Sequence, residues 1–260
     1  MNLLVVLDAG AEGEVLLGSA RVLSQVSGWP LRVLHVKAAE EAPDLDLPAR
    51  LATGTKVEEA VGDPVETILA AAGGDDVVAF AMRHKGEQGV GSVADGLLAS
   101  AQQTLLVVRP GMRRLSTLRR IVVPLEGSPS SSGAMGLTEE AFCSRGREIV
   151  VLHVSTADTP DEPGSLPAPR MVDQEQYEWP SWHEEFTMRF ATCPEGGRHR
   201  TVVRVGDPAE VIVSEATKPP ADLIVLAWQG VFSAGRSMFV RAVLEDAPCP
   251  LLLVAVSART

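Results

Sequence analysis

The chain has 260 residues, of which 45% are hydrophobic and 22% are charged. This composition excludes a disordered or fibrous chain and indicates a globular protein. The formal net charge of -11 argues against binding to nucleic acid or to an anionic membrane, because both require a positive surface. No uncharged apolar run approaches the roughly 18 residues that span a bilayer.

Three cysteines, at positions 143, 193 and 249, lie far apart and form no CxxC pair. An odd count in a chain of this length predicts reduced thiols rather than a disulfide framework. The segment 1–8 has no basic leader and reaches an acid after a short apolar run, so no signal sequence is expected. Both features predict a cytoplasmic protein.

An internal repeat organises the chain. Residues 2–8 recur at 120–126 and residues 34–36 recur at 152–154, both at an offset of 118. Later landmarks recur at offsets of 144 to 146: 61–64 at 205–208, 76–78 at 222–224, and 105–108 at 251–254. An offset that jumps once indicates two copies of one unit, with an insertion near 156–198 in the second copy.

In chain order, each unit alternates strands with helices. Short β-branched apolar runs predict strands that are buried on both faces, at 3–7, 31–36, 77–81 and 104–108. Apolar residues at helical spacing predict helices between them, at 14–26, 64–72 and 92–101. The alternation predicts an α/β fold of two tandem doubly wound domains, each a five-stranded, mainly parallel sheet flanked by helices. For each sheet we take the strand order 3-2-1-4-5.

The same helix start signal occurs in both units. Asp63 stands as N-cap before Pro64, with Glu66 in the first turn, and Asp207, Pro208 and Glu210 repeat this pattern.

Pro110, Gly111 and a cluster of arginines interrupt the pattern between the units. We therefore predict domain 1 over residues 1–110, a linker over 111–118 and domain 2 over 119–257. The cluster of Arg113, Arg114, Arg119 and Arg120 is interpreted as a solvated linker, with a phosphate or partner patch as the alternative.

The insertion has a different composition from the rest of the chain. Residues 156–170 are rich in Pro, Asp and Gly and predict a loop, while 173–191 predict a helix interrupted at Pro180. Its aromatic residues favour a helix that covers the sheet of the second unit. A lid or a partner surface is the alternative.

No strong catalytic motif occurs. Gly54-Thr55-Lys56 lacks the upstream glycine of a nucleoside-triphosphate loop, and His183-Glu184-Glu185 lacks the second histidine of a zinc-protease helix. His35 and His153 recur at equivalent strand ends and are interpreted as structural. The sequence therefore predicts a protein that is not an enzyme and binds no metal.

The positions of a few residues near the predicted strand ends suggest a binding site. Ligands of open α/β sheets bind beyond the carboxyl ends of the strands, where the strand order reverses. With the predicted order, Asp8 follows strand 1 at this point, and Gly91 and Ser92 begin the helix after strand 4. An acid can accept hydrogen bonds from ribose or base donors, and amides at a helix N-terminus favour an anion. This combination indicates a nucleotide.

Several motifs resemble the universal stress protein family in its tandem form. The segment 122–128 (VVPLEGS) is similar to the first-strand motif of that family, and Leu-His-Val at 34–36 and 152–154 to its second strand. The segments 205–208, 221–225 and 247–251 resemble later landmarks, and 91–94 (GSVA) resembles a helix start. The resemblance covers nearly the whole chain except the linker and most of 156–198.

This resemblance implies a stress-response protein that binds ATP or another adenine nucleotide. The implied nucleotide-binding residues occupy equivalent strand ends and loops of the two units: Asp8, Val36, Ala81, Gly91, Ser92, Glu126, Val154, Ala227 and Gly230. Both phosphate loops depart from the family pattern, because Ala81 to Gly91 and Ala227 to Ser237 each span 10 positions where the pattern spans 13. A protein-interaction module of the same fold without nucleotide is the alternative, and an enzyme that slowly hydrolyses a nucleotide is a third hypothesis.

The last strand of each unit, 104–108 and 250–255, is predicted to be an edge strand that can pair. In the family such edges pair between domains. We therefore expect an intramolecular pseudo-dimer of the two domains, and a homodimer is a further option.

Overall fold

The computed structural model describes residues 1–7, 12–37, 57–82, 91–125, 129–155, 197–228 and 236–256. These residues form ten strands and six helices. The first half contains β1 (Leu3–Leu7), α1 (Glu12–Ser27), β2 (Leu31–Lys37), β3 (Val57–Val61), α2 (Pro64–Ala71), β4 (Val77–Ala81), α3 (Gly91–Ser100) and β5 (Thr104–Val108). The second half contains β6 (Arg120–Pro124), α4 (Pro129–Phe142), β7 (Glu148–Ser155), β8 (Arg198–Val205), α5 (Pro208–Thr217), β9 (Leu223–Trp228), α6 (Arg236–Asp246) and β10 (Leu251–Ala255).

All ten strands belong to one sheet, in the order β3-β2-β1-β4-β5-β10-β9-β6-β7-β8. Each half has the predicted order 3-2-1-4-5, and its strands are parallel. The halves join through β5 and β10, which pair antiparallel with Leu251 opposite Val107. The predicted pairing of these edge strands is thus confirmed. Because this one pair is antiparallel, the carboxyl ends of the strands lie at opposite edges of the sheet in the two halves.

The hydrophobic core has one layer on each face of this sheet. One layer lies under α2, α3, α5 and α6 and includes Leu4 of β1 and Leu253 of β10. The other lies under α1 and α4 and includes Leu3 and Leu252. Trp29 and Phe142 add a ring contact between the halves, with centroids 5.5 Å apart. Each core layer therefore contains residues of both halves.

The repeated helix start has the predicted geometry. The Asp63 carboxylate accepts a hydrogen bond from the Glu66 amide, and Asp207 accepts from the amides of Ala209 and Glu210. The glycines that precede the caps, Gly62 and Gly206, have φ of 153° and 149°. Residues with a Cβ are strained at these angles, which explains why both copies of the motif carry glycine.

The linker packs against the hydrophobic core and is only partly solvated. Arg113, Arg114 and Arg119 are exposed, as predicted, but Leu115 and Leu118 are buried in the core layer under α1 and α4. The assignment of Arg120 to a solvated cluster is wrong, because this residue begins β6 and is only 7% exposed. Its guanidinium forms ion pairs with Glu148 at 2.6 Å and with Glu215 at 2.8 Å. The burial of an arginine beside two carboxylates separated widely in sequence could not be read from a run of basic residues.

Arg109 connects the halves at the opposite end of the linker. Its Nε donates to the Leu244 carbonyl at 2.7 Å and its Nη2 donates to the Ala247 carbonyl at 2.9 Å. These carbonyls lie in the last turn of α6 and just beyond it. A guanidinium there satisfies acceptors that have no partner within the helix and complements the negative end of the helix dipole.

The prediction of reduced thiols is correct for Cys249 and wrong for Cys143. Cys249 is a buried free thiol, and burial raises its pKa to about 12. Cys143 is disulfide-bonded. Sequence spacing did not indicate this bond, since no short cysteine motif marks it.

The predicted loop and helix of the insertion, 156–170 and 173–191, lie outside the described residues. Within the described ranges, no helix is long and apolar enough to cross a membrane.

Candidate functional site

A crevice opens in the first half where the predicted site lies. β1 pairs with β2 over all five of its residues, to Leu7, but it pairs with β4 only from Leu3 to Val5. The two strands at the point of reversal therefore separate before their carboxyl ends. Separation of these strands leaves room for a ligand beyond the sheet edge.

The second half repeats this opening one residue earlier. β6 pairs with β7 over five residues, but it pairs with β9 only at Ile121 and Val122. The two openings are related by the repeat, and they lie at opposite edges of the sheet. The nucleotide-binding residues predicted from the sequence therefore form two separate sets, one in each half.

The described members of these sets lie at strand ends. In the first half, Ala81 is the last residue of β4 and Val36 is the last but one of β2. In the second half, Ala227 and Val154 are each the last but one residue of their strands. Gly91 begins α3, as the predicted helix start requires.

The two kinds of strand-end residue lie on different faces of the sheet. Val36 and Val154 pack against the core layer under α2, α3, α5 and α6, whereas Ala81 and Ala227 pack against the layer under α1 and α4. Within each half the structure thus brings these residues to one edge without placing them on one face. Asp8, Glu126 and Gly230 lie outside the described residues, as does the side chain of Ser92.

The halves differ in the residues that follow the fourth strand. Met82 comes directly after β4 and is half-buried. The equivalent residue, Trp228, ends β9 and is only 3% exposed. Phe239 of α6 packs against the core layer that contains Trp228. The second half therefore has a large aromatic residue both at the end of its fourth strand and in the first turn of α6.

A histidine supports the end of each central strand. His35 Nδ1 lies 3.0 Å from the Leu7 carbonyl oxygen, and His153 Nδ1 lies 3.0 Å from the Leu125 carbonyl oxygen. Each carbonyl belongs to the residue immediately before a predicted ligand acid, Asp8 or Glu126. In both halves, a hydrogen bond to the neighbouring strand thus supports the structural interpretation of the histidine.

The repeated aspartate, Asp76 or Asp222, has a structural role at the edge opposite each crevice. Asp222 accepts hydrogen bonds from the amides of Arg119 and Arg120 at 2.7 and 3.0 Å. Asp76 accepts from the amide and side chain of Asn2 and from the Gly73 amide. Burial by itself raises the pKa of Asp76, but these hydrogen bonds outweigh it and lower the pKa below its ordinary value. Each aspartate therefore holds the start of a central strand.

In the part of the chain that the structure describes, no group of three His, Cys, Asp or Glu residues could hold a metal ion. Near the described strand ends of the first half, Lys37 forms an ion pair with Glu59 at 3.1 Å.

Comparison with known proteins places the chain among related folds. Residues 117–255 match the model of the universal stress protein family. A universal stress protein from Archaeoglobus fulgidus has a TM-score of 0.66 at 18% identity, and the match covers 97% of each chain. A functionally unknown protein from Pseudomonas aeruginosa has a TM-score of 0.65 at 14% identity, covering 97% of this chain and 92% of that one.

A partial match is a universal stress protein from Arabidopsis thaliana with AMP bound, at 19% identity and a TM-score of 0.39. This match covers 54% of the chain and 93% of the Arabidopsis protein. A search of curated proteins finds no match.

Proposed function

Because the chain belongs to the universal stress protein family, we propose that it is a stress-response protein whose first half binds an adenine nucleotide without catalysing a reaction. The ligand is ATP or another adenine nucleotide, and no metal is required. The proposed site lies in the crevice between β1 and β4, with Asp8, Val36 and Ala81 on the strand side and Gly91 and Ser92 at the start of α3.

The observation that supports this site is the early separation of β1 from β4. The pairing stops at Val5 and Ala79, two residues before either strand ends. Each additional pair of residues in a parallel sheet would satisfy further backbone hydrogen bonds. Because the pairing stops, backbone groups of two strands are left available at one edge of the sheet.

The second half has a structural role in this proposal. It contains the same opening, but Trp228 is buried at the end of β9 and Phe239 packs against the same core layer. Aromatic side chains beside a helix start disfavour phosphate oxygens, because a charged phosphate needs hydrogen-bond donors when it leaves water. We therefore expect one nucleotide per chain.

The affinity is expected to be modest. A hydrogen bond to a charged group contributes about 1.5–3 kcal/mol, and each ~1.4 kcal/mol changes affinity tenfold. The loss of two phosphate-binding amides through the shorter loop would therefore weaken a micromolar site toward the millimolar range.

Titration calorimetry with ATP, ADP and AMP tests the proposal, together with native mass spectrometry of the purified protein. We expect a stoichiometry of one. Asp8→Ala should weaken binding at least tenfold, and the matched variant Glu126→Ala in the second half should leave the affinity unchanged.

Three results would contradict parts of this proposal. No binding and no thermal shift at millimolar ATP would leave the interaction module as the better explanation. Equal losses in Asp8→Ala and Glu126→Ala would show that the second half also binds. Phosphate release that disappears in Asp8→Ala would show an enzyme.

A further inference from the structure

The two strand-end histidines make the same contact in halves to which the proposed function assigns different roles. His35 and His153 each place Nδ1 3.0 Å from a carbonyl oxygen 28 residues earlier in the chain. A carbonyl oxygen can only accept a hydrogen bond, so each Nδ1 carries the hydrogen and donates it. The contact therefore determines the tautomer when the ring is neutral.

The position of this contact gives it a mechanical consequence. Leu7 is the last residue of β1 and lies opposite His35 in the register of β1 and β2. Beyond Val5, β1 has no backbone pairing with β4, so among the described strands only β2 pairs with the end of β1. The side chain of His35 adds a second attachment on that side. The residue that follows Leu7 is Asp8, the acid of the proposed site.

His35 is also placed where an apolar residue would be expected. Its side chain is 4% exposed, and its Nε2 has no hydrogen-bond partner among the described residues. Its neighbours on the same face, Leu7 and Val33, belong to the apolar layer under α1. A buried ring nitrogen without a partner is unfavourable. The Nδ1 contact is thus the feature that distinguishes histidine from leucine at this position.

We propose that His35 is a positioning residue of the nucleotide site: its Nδ1 holds the Leu7 carbonyl and so fixes the end of β1, the strand that leads directly to Asp8. This inference rests on the proposed function of the first half. His153 holds the end of β6 in the same way, but there the contact serves only the stability of the fold.

The repeat supplies matched variants for a test. His35→Asn keeps an N–H donor close to the position of Nδ1, whereas His35→Leu keeps the bulk and removes the donor. His153→Asn and His153→Leu are the corresponding controls. Hydrogen–deuterium exchange of the free protein reports on the end of β1, and calorimetric titration with ATP reports on the site.

We expect His35→Leu to increase amide exchange in the peptide that covers residues 3–8 and to weaken ATP binding about tenfold. His35→Asn should stay within about threefold of the wild-type affinity. His153→Leu should lower the melting temperature by an amount similar to His35→Leu, yet it should leave the affinity for ATP unchanged.

The proposal is overturned if His35→Leu and His35→Asn bind ATP equally well, or if His153→Leu weakens binding as much as His35→Leu. It is also overturned if exchange at 3–8 does not change in His35→Leu. Failure of the wild-type protein to bind any adenine nucleotide contradicts the proposed function instead, and the exchange comparison then still decides whether His35 holds the end of β1.

Discussion

The contact between Arg109 and α6 predicts how the two halves depend on each other. Arg109 follows β5 of the first half, and its guanidinium donates to carbonyls at the end of a helix in the second half, Leu244 and Ala247. Arg109→Ala removes both hydrogen bonds and the positive charge at the negative end of the helix. The repeat contains no counterpart, because the equivalent position is Ala255.

The expected loss of stability in Arg109→Ala follows from the two hydrogen bonds that are removed. Hydrogen bonds from a charged donor contribute about 1.5–3 kcal/mol each. Arg109 is half-buried, so water regains access to the carbonyls, and we expect a total loss of about 3 kcal/mol. In a chain of this size, 1 kcal/mol lowers the melting temperature by about 2–4 °C, so the expected decrease is about 6–12 °C.

Urea and thermal denaturation, followed by circular dichroism, measure this loss. Arg145→Ala is the control, since Arg145 is exposed in a turn, and its melting temperature should stay within about 1 °C of wild type. Arg109→Lys keeps the charge but loses the two-pronged donor geometry. Its melting temperature should therefore lie about halfway between those of Arg109→Ala and wild type.

The same experiment tests the connection between the halves. Because each core layer contains residues of both halves, wild type and Arg109→Ala should both unfold in a single transition. Equal melting temperatures of Arg109→Ala and Arg145→Ala would refute the stabilising role assigned to the Arg109 hydrogen bonds. Two resolved transitions in the wild type would refute the shared core.

Two further predictions concern buried ionisable groups of the second half. Glu215→Gln removes the carboxylate that Arg120 contacts at 2.8 Å. The free energy of unfolding in urea should fall by about 3–5 kcal/mol, because a buried guanidinium loses one of its two partner charges. A loss no larger than that of the exposed Glu210→Gln on the same helix would contradict this. Burial lowers the pKa of His199 below its ordinary value of 6.5, although Glu139 Oε1 lies 3.4 Å away. The unfolded chain therefore binds this proton more readily, so the free energy of unfolding should be fully maintained above about pH 6.5 and decrease as the pH falls below it. His199→Gln should reduce this slope in urea titrations from pH 7.5 to 5.5, and an unchanged slope would show that other groups cause it.

The positions of most elements could be predicted because their signals are local. Runs such as 77–81 and 104–108 are apolar because both faces of the strand are covered, and the Asp-Pro helix starts need only a carboxylate and the amides two or three residues ahead. The third strands were harder to locate. β3 (VEEAV) lies at an edge of the described sheet and is only partly buried, so its composition resembles that of a loop.

The sequence predicted a location for the candidate site, but it did not predict how the residues there are arranged. Strand order and chain direction placed Val36 and Ala81 at the same edge of the sheet, as predicted, but the sequence did not indicate that they lie on opposite faces. Loop length does not distinguish the two halves, and in the sequence only the apolar Met238 and Phe239 at the second helix start favour the first half as the binding site. The burial of Trp228 is a further difference that the sequence did not indicate, because burial depends on the elements that pack over a residue.

The sequence by itself determined the repeat and the α/β alternation, and it indicated the edge strands available for pairing. These features follow from hydrophobic periodicity, cap residues and the spacing of recurring segments. Only the tertiary structure decided that the halves share one ten-stranded sheet with crevices at opposite edges, and that Arg109 closes a helix more than 130 residues away. These features depend on contacts between segments distant in sequence, and no local pattern specifies which distant donor reaches which acceptor.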